Sequence, residues 1–142
     1  MGRIFVISIL LIVSVFASEI RWAKNYEDGL SIAKKQNKPL LFVSASHSCK
    51  NCIALDKNTF KDTKVIEFLN RNFISVVAYS DEGDFIPKSL YRPSTPTIWF
   101  LLPNNEVMYD PLIGAIVPED FLEVLSIVKV QFDKYQKEKD IK

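Results

Sequence analysis

The apolar positions of the chain fall into three kinds of run, and each kind predicts a different element. Tyr26, Leu30 and Ala33 recur at helical spacing between Tyr26 and Gln36, with Asn25 placed to cap and Glu27-Asp28 in the first turn, where the helix dipole favours acids. Pro39 to Ala45 is a near-continuous apolar run, the pattern of a strand covered on both faces, and Phe73 to Tyr79 reads the same way. Thr97 to Leu102 is a third strand. Pro103-Asn104-Asn105-Glu106 then supplies turn chemistry ahead of Val107 to Leu112, so the two runs are expected to form an antiparallel hairpin. Helices are expected from Cys49 onward, over Asp62 to Asn70, and from Pro118, where Phe121, Leu122, Leu125, Val128 and Phe132 keep the 3.6-residue period. Ser80 to Pro93 is a polar loop, and beyond Asp133 the charged end is expected to fray. The order is α-β-α-α-β-loop-β-β-α, an α/β fold with a central mixed sheet flanked by helices and a C-terminal hairpin and helix.

The first run differs from all of these. Arg3 precedes Ile4 to Phe16, a stretch of apolar residues and two serines. As a helix it would rise about 20 Å, short of a hydrocarbon core of about 30 Å, and its charge-then-apolar order is that of a secretory signal. Cleavage is expected after Ala17, leaving one domain over residues 18–142; an uncleaved anchor is the alternative. Export would place the protein where disulfides persist. The terminal Lys139-Asp140-Ile141-Lys142 is not a retention signal of the Lys-Asp-Glu-Leu type, which favours a bacterial periplasm.

Charge and composition narrow the partners. The 142 residues carry 18 Lys and Arg against 17 Asp and Glu, so the basic footprint of a nucleic-acid binder is missing. With Arg3 removed the balance is neutral. One His and two Cys are too few for a zinc finger or a disulfide framework, so the cysteines must act as a pair.

That pair, Cys49 and Cys52, falls at a helix start. A helix N-terminus stabilises an anion, so Cys49 is the expected thiolate nucleophile, with Lys50 and protonated His47 adding positive charge nearby. Cys52 lies one turn deeper, where it can attack a mixed disulfide formed at Cys49. A purely structural bridge is disfavoured by magnitude: closing a four-residue loop stabilises by only about 2 kcal/mol, against roughly 3 for a 15-residue loop. Two other readings stay open. His47, Cys49 and Cys52 form a soft donor set that suits Cu(I) or Zn, as in a metal-binding protein or carrier. A protein-interaction module with vestigial cysteines is the third. Thr95-Pro96 directly before a buried strand suggests a cis peptide bond, which would leave the Thr95 backbone free to pair with an extended substrate. Trp22 and Trp99 are read as packing residues.

Taken in order, a strand, Cys49-x-x-Cys52 at a helix start, Thr95-Pro96-Thr97 before a hairpin and a final helix, this chain resembles the thioredoxin superfamily over nearly all of residues 18–142. The run Trp22…Tyr26…Leu30…Ala33-Lys34…Asn37-Lys38-Pro39-Leu40-Leu41 before the cysteines is similar to secreted members close to the C-terminal domain of the periplasmic reductase DsbD. The resemblance implies a thioredoxin fold, Cys49 as nucleophile, Cys52 as resolving thiol and Pro96 as the cis-proline facing them. It implies a thiol-disulfide oxidoreductase without a cofactor, reductase or isomerase slightly favoured, acting on protein thiols and recycled by a redox partner protein. The chain also departs from the pattern. Ser48 stands where thioredoxins carry Trp, Lys50-Asn51 replaces their Gly-Pro, and Val43 occupies the strand position of their buried Asp. Cys52 must therefore lose its proton to water or to another group, which favours a dedicated partner over fast general reduction.

Overall fold

A computed structural model describes residues 18–141. The expected signal segment, residues 1–17, lies outside the described residues.

Three layers form because the central strands are apolar on both sides. Helix α1 (Tyr26–Gln36) leads into β1 (Leu40–Ala45), followed by α2 (Lys50–Lys57), α3 (Thr63–Asn72) and β2 (Ile74–Tyr79). After a loop come β3 (Thr97–Leu101), β4 (Leu112–Ile113) and α4 (Pro118–Asp140). The sheet order is β2-β1-β3-β4, with β1 parallel to β2 and antiparallel to β3. All six residues of β1 are buried. Alternation along the strand sends Leu41, Val43 and Ala45 to one core, packed on α2, α3 and α4, and Leu40 and Phe42 to the other, packed on α1. The site loop between β1 and α2 thus starts from a fully buried strand.

Local signals explain the element ends. Asn25 accepts the Asp28 N–H at 2.9 Å, and Asp62 accepts that of Val65 at 3.0 Å, so both expected helix starts have side-chain caps. Asn37 closes α1 in the left-handed conformation at φ 48°. Pro118 opens α4. Trp22 forms a parallel bridge with Ser75 beside β2, and buried Trp99 donates its indole N–H to the Leu90 carbonyl at 2.9 Å. The loop expected over Ser80–Pro93 contains two short 3-10 turns, Ser80–Glu82 and Lys88–Leu90.

Two expectations need correction. The hairpin begins as anticipated, with Leu101 opposite Val107, but the pairing breaks and resumes only at Leu112, opposite Ile98. Five steps on the returning arm face three on β3, so two extra residues bulge out around Asp110-Pro111, where proline cannot donate a ladder hydrogen bond. The second strand is therefore Leu112–Ile113, not Val107–Leu112. The terminal helix, expected to fray after Asp133, runs on to Asp140, with a Lys129–Asp133 ion pair at 2.6 Å one turn apart near its middle.

Candidate active site

Cys49 is the residue on which the local geometry converges. It sits immediately before α2 in extended backbone and caps the helix with its own sulfur, which accepts the Cys52 N–H at 3.2 Å. Both cysteines are unbonded thiols; Cys49 is half-buried and Cys52, one turn inward, is 7% exposed. Facing them, the Thr95–Pro96 peptide bond is cis, as the sequence suggested. The Thr95 carbonyl lies 3.3 Å from Cys49 Sγ and accepts its S–H, so in this state that carbonyl is occupied by the nucleophile itself. The Pro96 carbonyl is taken by the Gly114 N–H at 2.9 Å, which ties β4 to the site.

The two thiols are pushed apart electrostatically. Burial raises the Cys49 thiol, but hydrogen bonds to its sulfur from the Cys52 and Thr95 side chains and from the Cys52 and Asn51 backbone outweigh burial and lower its pKa overall. For Cys52, burial comes first and the bond to Cys49 second; both raise it, so its thiol holds its proton above the ordinary range. One sulfur is set to attack and the other to wait. An acid and a base separated by environment in this way is the arrangement that two-step exchange needs.

The other residues singled out from sequence are placed differently. The His47 ring stacks on Tyr79 with centroids 3.9 Å apart, and its Nε2 meets Glu82 at 2.6 Å. The His47 backbone N–H is held by Asp81 at 2.9 Å. These bonds fasten the loop between β1 and α2 to the turn after β2 and direct the imidazole there. Lys50 is the first residue of α2 and is exposed. Neither His47 nor Lys50 is among the groups that set the Cys49 pKa, which hydrogen bonds govern. No group of three or more His, Cys, Asp or Glu side chains converges among the described residues, so the Cu(I) or Zn reading lacks a third ligand.

Sequence reading missed a cleft behind Cys52. It encloses about 330 Å³ and is lined by Trp22, Val43, Asp56, Phe60 and Tyr79 as well as Cys52. Its walls come from residues far apart in the chain. Only Asp56, four positions after Cys52 and so on the same helix face, carried a signal that spacing could have found.

The comparisons with known proteins agree with this geometry. Anterior gradient protein 2 of Xenopus tropicalis is 24% identical over 128 residues, covering 82% of this chain and 77% of that protein. A thioredoxin from Thermus thermophilus superposes with a TM-score of 0.69 at 24% identity, over 80% of this chain and 90% of the other. The oxidised C-terminal domain of DsbD from Neisseria meningitidis superposes with a TM-score of 0.50 at 15% identity, covering 69% and 87%. The family described as Thioredox_DsbH, a protein of unknown function (DUF255), matches residues 9–92, more than half of the chain. Sheet order, cis-proline and paired cysteines at the start of α2 describe a thioredoxin-like oxidoreductase fold, and the chain belongs to the Thioredox_DsbH family within the thioredoxin superfamily.

Proposed function

We propose that the protein is an extracytoplasmic thiol-disulfide oxidoreductase, exported to a bacterial periplasm by the segment before residue 18, that reduces or isomerises disulfides of protein substrates. One observation carries this reading above the others: the Cys49 sulfur caps α2 by accepting the Cys52 N–H, facing the cis Thr95–Pro96 bond. A sulfur so held is stabilised as an anion, and the anion is the attacking species.

In this scheme the Cys49 thiolate attacks one sulfur of a substrate disulfide. That S–S bond breaks, a mixed disulfide forms, and the other substrate sulfur leaves as a thiolate. Thr95 and Pro96 bind the substrate backbone once Cys49 has released the Thr95 carbonyl. Cys52 then gives up its proton and attacks Cys49, closing the Cys49–Cys52 disulfide and freeing the second substrate thiol. Two electrons have passed from the pair to the substrate, and a redox partner protein returns them. Lys50 and His47 flank the reacting sulfur, and His47 acts chiefly by holding the loop.

The test is a trap. In a Cys52→Ser variant expressed in the periplasm, Cys49 should accumulate mixed disulfides with partner proteins, seen as adducts that disappear on reduction and are missing from the Cys49→Ser variant. Absence of adducts in the Cys52→Ser variant would contradict the scheme.

A further inference from the structure

The resolving step above requires a proton to leave Cys52, a nearly buried thiol. The strand residue beneath it is Val43, fully buried and with no group to accept a proton. Burial also raises the Cys52 pKa, so few Cys52 thiols ionise unaided near neutral pH.

The cleft behind Cys52 offers a way out. It is partly open to solvent, and about 330 Å³ admits several waters. Its charged and titratable lining is short: Cys52 and Asp56 and Lys57 of α2, His47 of the preceding loop, and Tyr79 of β2. Asp81 and Glu82 reach the same neighbourhood from the next turn, where both act on the Tyr79 hydroxyl. Asp56 lies one helical turn past Cys52 on the same face of α2. Of the other candidates, Lys57 is a cation, Tyr79 has its pKa raised by burial and by Asp56, and the His47 Nε2 is committed to Glu82. Cys52 and Asp56 both line this cleft, which puts thiol and carboxylate around one space.

We propose that Asp56 is the proton acceptor for the resolving thiol, taking the Cys52 proton through water in this cleft in the place of a carboxylate on β1. The step balances simply. The proton passes from Cys52 Sγ through water to the Asp56 carboxylate, the Cys52 lone pair forms the bond to Cys49 Sγ, and the substrate sulfur leaves with the electron pair of the broken bond. Asp56, an exposed residue, then loses its proton to solvent. This rests on the exchange reading, so the test must tell the two apart.

Ellman's reagent does so, because each release of thionitrobenzoate is recorded separately in a stopped-flow trace. The first release reports Cys49 attack and the second reports Cys52 resolving the Cys49 adduct. Asp56→Asn, a change at an exposed position, should leave the first release unchanged and slow the second about tenfold near pH 7. The difference should vanish at alkaline pH, where Cys52 ionises without help, and Asp56→Glu should restore the rate. A carboxylate that acts only through its charge holds a neighbouring thiol protonated, so its removal would speed the second release. An unchanged or faster second release in Asp56→Asn overturns the proposal, as does equal slowing of both. If the wild-type protein gives no second release at all, the exchange reading itself fails and the proposal with it.

Discussion

Cys49 does two jobs with one atom. Helices are usually capped by an oxygen of Ser, Thr, Asp or Asn, whose lone pair accepts an N–H of the first turn. Here a sulfur takes that place, and the bond that starts α2 also stabilises the thiolate. Thr95 is the second contributor, through its side chain, from a loop 46 residues away in sequence. Removing that hydroxyl while keeping the shape, by Thr95→Val, should raise the Cys49 pKa and slow its alkylation several-fold near pH 7; an unchanged rate would show that the helix end suffices alone. The Cys49–Cys52 pair and the cis bond before Thr97 were legible because each depends on neighbours in sequence. The cleft was not, since Trp22, Val43 and Tyr79 meet Cys52 only after the sheet has formed. The contacts of His47 were hidden for the same reason: its partners are Tyr79, the last residue of β2, and Glu82 in the turn after it.

Among the elements, the strands buried on both faces were the easiest to read, because their apolar runs allow no other surroundings. The returning arm of the hairpin was the hardest. Val107 to Leu112 has strand-like composition, yet Asp110-Pro111 interrupts its ladder, and hydrophobicity alone does not register a missing N–H. Helix α4 outlasted its apolar stripe because the charged residues after Phe132 are good helix formers that need no core. Helix α1 carries a constraint hidden at the sequence level. A Cβ added at Gly29 would stand 2.2 Å from Cγ2 of Val76, a fully buried β-branched side chain of β2. Replacing a mid-helix glycine by alanine ordinarily stabilises by roughly 1 kcal/mol. Gly29→Ala should instead destabilise by about 1–3 kcal/mol, read from urea unfolding, because helix and sheet must separate to admit the methyl. A stabilised variant would mean that α1 can shift freely on the sheet.

At the scale of the whole molecule, two cores hold one sheet, and the cysteine pair sits just past the end of β1. In the proposed scheme substrate meets the pair at Thr95 and Pro96, and water meets it through the cleft lined by Cys52. The consequence for pH is fixed by the opposite shifts of the two sulfurs. A lowered Cys49 pKa extends the ionised, reactive form of that sulfur to lower pH than an ordinary thiol, with reactivity lost as pH falls through the lowered value. A raised Cys52 pKa keeps that sulfur protonated, and so quiet, until pH rises above the ordinary thiol value. Iodoacetamide labelling of the fully reduced protein across pH, with each cysteine located by mass spectrometry, reads both shifts at once. Cys49 should be modified first, at lower pH than an ordinary thiol, and Cys52 only at higher pH. Equal labelling of the two across the range, or Cys52 ahead of Cys49, would contradict the division between an attacking and a resolving thiol.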